Sequence, residues 1–170
     1  MAALSVVEKA TVLDELLAAR PDLHGLAETC AARLLSNEDR SAVASEIADT
    51  LRGLDIEELN GHAGYRPGHG YVHPVEAAAE ILDEALEPFL HDLERRASLG
   101  MTTAAAELAV GILLGLYQCR DGGSDTLLEY SPDYATEHAT QVVNQCAKLG
   151  IELPSAELLD LVPHWSTMLR

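Results

Sequence analysis

The sequence predicts an all-α fold, a bundle or stack of antiparallel helix pairs with about seven or eight helices, forming one domain with a sub-division near residues 60–73. The apolar 48% of the 170 residues is built largely from alanine and leucine, which favour helices. One Phe, one Trp and five Tyr leave little of the aromatic content of sheets. Apolar residues recur at three- and four-residue spacing between Gly and Pro breaks, and no stretch alternates with a strand's period of two.

Taken in order, Ser5-Val6-Val7-Glu8 has the form of a capping box, and Val6, Leu13, Leu16 and Leu17 continue a helical stripe to Arg20. Pro21 ends that helix and suits the first turn of the next, whose stripe runs Leu23, Leu26, Ala27, Cys30, Leu34. Ser36, three residues before Asp39, is read as the start of a third helix in which Val43, Ile47 and Leu51 stand four apart and Gly53 supplies the exit. A short turn at 55–59 precedes Asn60 to His73, which holds four Gly, one Pro, three His and two Tyr. No regular helix survives that density of glycine.

Pro74 restarts the pattern. A long helix reaches about Ser98, with a kink expected at Pro88, or two helices meeting at Glu87. After Gly100, Thr102 or Thr103 caps an almost wholly apolar helix through Tyr117, which belongs at the centre. Gly111 and Gly115, four apart, would let a neighbouring helix come close. Pro132-Asp133 opens a helix closing at Gly150, and Pro154-Ser155 opens the last.

With 28 Asp+Glu against 11 Lys+Arg, the formal charge is −17, spread over helix faces rather than gathered in a tail. Nucleic acid and anionic membrane surfaces are disfavoured as partners, because binding them depends on clustered Lys and Arg. Cys30, Cys119 and Cys146 are far apart and odd in number, so they read as reduced, buried thiols rather than a disulfide set. No basic stretch followed by an apolar run opens the chain. The longest uncharged run, Leu108 to Cys119, has 12 residues, short of the roughly 20 a bilayer needs. A cytoplasmic protein is expected.

The stretch Gly70-Tyr71-Val72-His73-Pro74, then Glu76-Ala77-Ala78, Glu84-Ala85-Leu86-Glu87-Pro88-Phe89-Leu90 and Asp92-Leu93, and the Gly100 turn into an Ala-rich helix, resembles helical regions found beside SWIM-type zinc fingers in bacterial proteins. The resemblance spans residues 70–119. The C-x-C and C-x-H elements of such fingers have no counterpart among the three cysteines, so no metal site is carried over. What the resemblance implies is a helical module with a partner-binding role.

Residues 62–76 hold the candidate site. His69, His73 and Glu76 are spaced so that two imidazoles and a carboxylate would converge at a loop-to-helix junction, a ligand set that suits zinc and similar cations, with His62 or His91 as spare ligand. The competing reading has the glycines supplying positive φ, and Tyr65, Tyr71 and the histidines covering or capping helix ends. A third reading is a recognition loop, since Tyr65, Arg66 and Tyr71 are residue types that dominate binding hot spots.

On the next helix Glu76, Glu80, Asp83/Glu84 and Glu87 form a carboxylate ridge, which a solvated face explains without a di-metal centre. No nucleophile motif or phosphate loop is present. The leading expectation is a non-enzymatic protein-interaction module, with no cofactor, whose surface combines the loop and the ridge and suits a basic protein partner. The alternative is a metal-binding protein or metal-dependent enzyme using the cluster at 62–76. A homo-oligomer through the Gly111/Gly115 helix, or through Trp165 and Leu169, is a further expectation.

Overall fold

The computed structural model describes residues 4–36, 39–66, 68, 70–123 and 125–167, with Ser36 and Arg66 by backbone alone. The chain divides into two compact units, Met1–Asn37 and Glu38–Arg170. The division falls upstream of the 60–73 segment, which lies inside the second unit and is held there by Leu59 and Val72, both buried.

In the first unit, α1 (Val6–Ala19) starts on the capping box its sequence announced. The Ser5 hydroxyl accepts from the Glu8 N–H at 3.3 Å, and the Glu8 carboxylate accepts from the Ser5 N–H at 2.8 Å. Pro21 opens a 3-10 turn over Pro21–Leu23, clasped by the Arg20–Asp22 ion pair at 2.7 Å, and α2 (His24–Ser36) follows.

The second unit begins with α3 (Arg40–Arg52). Ser36 closes α2 instead of starting the third helix, because Asp39 is itself a capping residue, and its carboxylate accepts from the Ser41 N–H at 2.9 Å. A 3-10 turn (Ile56–Glu58) and the single turn α4 (Leu59–His62) lead into β1 (Gly64–Arg66) and β2 (Gly70–Val72). These strands pair antiparallel, Tyr65 opposite Tyr71. The sequence reading had no strand here: three residues are too few to display a period, and positive φ at Gly64, Gly68 and Gly70 lets so short a ribbon turn back.

His73 caps α5 (Pro74–Ser98), one continuous helix of 25 residues running through Pro88. Pro88 removes one backbone donor, yet Leu86 and Leu93 are buried on either side of it, and their packing keeps the helix whole. The near-apolar α6 (Thr102–Cys119) is the centre the composition called for, with eleven buried residues. By length and composition it is the one described helix that would cross a membrane, but most of it is enclosed by protein. A 3-10 turn (Leu127–Glu129) precedes α7 (Tyr134–Leu149), which Gly150 closes at φ 70°. Finally α8 (Ser155–Leu161) leads to a 3-10 turn that buries Trp165 edge-on against Tyr117, ring centroids 5.1 Å apart.

Eight α-helices and one two-stranded ribbon among the described residues make this an all-α fold of packed helices. Its tightest contact is α3 on α6. A Cβ on Gly111 would lie 2.8 Å from the Val43 Cβ, and one on Gly115 would lie 2.8 Å from the Ile47 Cβ. Both the glycine face and Trp165 are therefore used within the chain, while Leu169 lies outside the described residues.

Candidate functional site

The four glutamates of the ridge are not equivalent. Glu76 is exposed in the first turn of α5, Glu80 is half-buried, and Glu84 and Glu87 border a groove of about 430 Å3 between α5 and α7. The groove has a built end on each side. At one end His138 Nε2 lies 2.8 Å from Asp83 Oδ1, and at the other Gln145 Nε2 donates to Glu94 Oε1 at 2.7 Å. Along α5 the two clasps are separated by about 16 Å, and along α7 by about 10 Å, from the helical rise. Both clasps advance with the chain, so α5 and α7 run the same way. Leu86 and Leu90 form the floor, and Glu87 and His91 pair across one turn at 3.5 Å.

The Asp83–His138 end is rigid for a reason visible in its neighbours. The His138 ring stacks on Tyr134, centroids 3.9 Å apart, and its Nδ1 lies 3.0 Å from the Tyr134 carbonyl. Both ring nitrogens lie within hydrogen-bond reach of oxygen atoms. Its side chain is 13% exposed. Asp83, anchored by this ring, is 56% exposed and keeps its outer lone pairs toward water.

Tyr134 is buried beneath. Burial first, and then the nearby Asp83 carboxylate, hold its phenol far above its ordinary value, so it is a neutral hydroxyl. That hydroxyl makes no hydrogen bond among the described residues. Replacing Tyr134 with Phe is therefore expected to leave stability unchanged or raise it by up to about 1 kcal/mol, read by urea unfolding. A loss of that size would instead show the hydroxyl bonded to Asp83.

The loop residues are placed differently. Tyr65 and Tyr71 pair across the ribbon and are 83% and 68% exposed, which leaves two aromatic side chains on one face. Arg66 ends β1, and His69 lies outside the described residues. His73 is the cap of α5, its Nδ1 accepting from the Val75 N–H at 3.4 Å, which is the capping role the sequence allowed. Among the described residues no group of three or more His, Cys, Asp or Glu side chains is placed to hold a metal ion.

The three cysteines are free thiols. Burial raises the Cys119 thiol and pushes Cys146 up to about 11, so neither of these two is a thiolate nucleophile at neutral pH.

The sequence reading included Asp83 and Glu84 in its ridge but missed His138, Gln141 and Gln145. Their one available signal was His138 one turn after Tyr134, a spacing common to any helix. Comparison with protein-family models, with characterised proteins and with solved structures gave no match for this chain.

Proposed function

We propose that the protein is a non-enzymatic interaction module that holds a short basic segment of a partner protein in the groove between α5 and α7. The observation that carries this reading is the pair of fixed ends, Asp83–His138 and Glu94–Gln145, with Glu84 and Glu87 between them over an apolar floor. Carboxylates already oriented by hydrogen bonds lose little further freedom on binding. The span suits about four extended residues or two to three helical turns, with arginines or lysines at the edges and a leucine-like side chain on the floor.

Exposed ion pairs contribute about 0.2–1 kcal/mol each, and one buried apolar side chain adds about 1.5–3 kcal/mol. Such a groove gives a weak, reversible contact with Kd on the order of 10–100 μM. The net charge of −17 brings a cationic segment in faster and makes the contact salt-sensitive. Free thiols fit a reducing, cytoplasmic setting. The resemblance of residues 70–119 to helical regions beside SWIM-type fingers points to the same partner-binding role, and a metal-dependent alternative would rest on His69.

The test is fluorescence anisotropy with a labelled hexapeptide in which two arginines flank two leucines. The expected result is saturable binding that weakens about tenfold in the combined Glu84→Gln, Glu87→Gln variant and again between low and high salt. Equal binding by the variant, or by a peptide with glutamates in place of the arginines, would sink the reading.

A further inference from the structure

We propose that α1 and α2 form a self-association element, in which the apolar groove they share is filled by the same two helices of a second copy of this chain. No residue of α1 is buried. Its Leu13 and Leu16 are half-exposed, and Leu26 and Leu34 of α2 are 62% and 77% exposed. These leucines, with Leu17 and Cys30, line a groove of about 360 Å3 whose walls are apolar side chains alone. Two helices of 14 and 13 residues sit at the length where isolated helices are marginal, and units below about 40 residues usually need a disulfide, a metal or association to stay folded. Cys30 is a free thiol, so no disulfide ties the two helices together.

Charge selects the occupant. Residues 1–37 carry five carboxylates (Glu8, Asp14, Glu15, Asp22, Glu28) against three cations (Lys9, Arg20, Arg33), a net of −2, so the remaining residues hold −15 of the −17. A basic partner is drawn to those other residues. Pairing of this near-neutral element with itself meets little repulsion. The element is also polar along its length. Away from the connecting turn stand Glu8, Lys9 and Arg33, a net of +1, and toward it stand Asp14, Glu15, Arg20, Asp22 and Glu28, a net of −3.

Antiparallel pairing about a two-fold axis sets the cationic end of each copy beside the acidic end of the other, whereas parallel pairing sets like on like. The product is a four-helix interface of the kind that short antiparallel pairs form.

Sedimentation velocity on the full chain over about 1–200 μM tests this. The wild type is expected to pass from monomer to dimer within that range. Leu16→Glu and Leu26→Glu, at positions exposed in the single copy, are expected to remain monomeric while keeping the wild-type helical circular dichroism, and Leu99→Glu, an exposed leucine of the second unit, to dimerise as the wild type does. Joint inversion of Lys9→Glu and Arg33→Glu is expected to weaken the dimer at least tenfold at low salt, an effect lost at high salt. A wild type that stays monomeric at the highest concentration, a dimer untouched by Leu26→Glu, or a dimer lost equally in Leu99→Glu would each overturn the proposal.

Discussion

Replacing Asp92 with asparagine is expected to lower the stability of the second unit by about 3 kcal/mol, the lower end for breaking a buried charge pair. Arg96 is 3% exposed, and its Nε and Nη2 lie 2.8 and 2.7 Å from Asp92 Oδ2. The same carboxylate accepts from Arg95. Asparagine keeps the shape and one acceptor oxygen but removes the charge that the buried guanidinium faces at this position. Urea unfolding should report the loss, with a fall in Tm of about 10 °C for a unit of this size.

The pH dependence has a definite sign. Burial alone would raise the Asp92 carboxyl, but hydrogen bonds from Arg95 and Arg96, and then their charges, outweigh it and hold the group below its ordinary value. A depressed folded value means that the pair's stabilisation is complete above the unfolded aspartate value of about 3.9 and is lost as pH falls through the folded one. Wild type and variant should therefore draw together as pH falls below about 4 and converge only beneath the folded value. A gap that persisted there, or a neutral-pH loss under 1 kcal/mol, would assign Asp92 the minor role of a surface pair.

The second large effect is expected at the glycines of α6. A methyl group on Gly115 would meet the Ile47 Cβ at 2.8 Å and the Ala44 carbonyl at 3.0 Å, and one on Gly111 would meet the Val43 Cβ at 2.8 Å. Carbon atoms rest about 3.5–4.0 Å apart, and a Cβ cannot rotate away from its own backbone, so α3 must retreat. Overpacking costs about 1–3 kcal/mol per site, offset by the roughly 0.8–1 kcal/mol that alanine gains over glycine within a helix. Each single variant should lose up to about 2 kcal/mol. Because one retreat of α3 relieves both clashes, Gly111→Ala with Gly115→Ala should cost less than the two together. Additive losses in a double-mutant cycle would show that each glycine is accommodated separately.

Much of the fold was legible because helix signals are local. The Ser5 box, the Val43-Ile47-Leu51 spacing and the Gly150 stop each act within a few residues, and each stands where the pattern put it. Ser36 misled for a local reason too, since Asp39 competes for the same cap and takes it. Of the two outcomes expected at Pro88, the helix does not divide there, since α5 runs on from Pro74 to Ser98 with Leu86 and Leu93 buried on either side. The α1 stripe was as good as the others, yet a stripe says that a face is apolar and not what covers it.

The groove was less legible. Asp83 and Glu84 were in view as members of a ridge, but their partner His138 is 55 residues away in sequence, and nothing local pairs two helices that run the same way on either side of α6. The His/Tyr/Gly segment drew attention through its composition. His73 proved to be a helix cap and Tyr65 and Tyr71 a cross-ribbon pair.

The glycine contact between α3 and α6 also sets a clock. Backbones held this close leave no local way for water to reach the amides near Gly111 and Gly115, so those hydrogens exchange only when the whole second unit opens. Amides of α1, none of whose side chains is buried, exchange by fraying. One deuterium-exchange time course thus ranks the chain from its quickest amides to its slowest, and an occupant seated on α1 and α2 would register as slowed exchange in that segment alone.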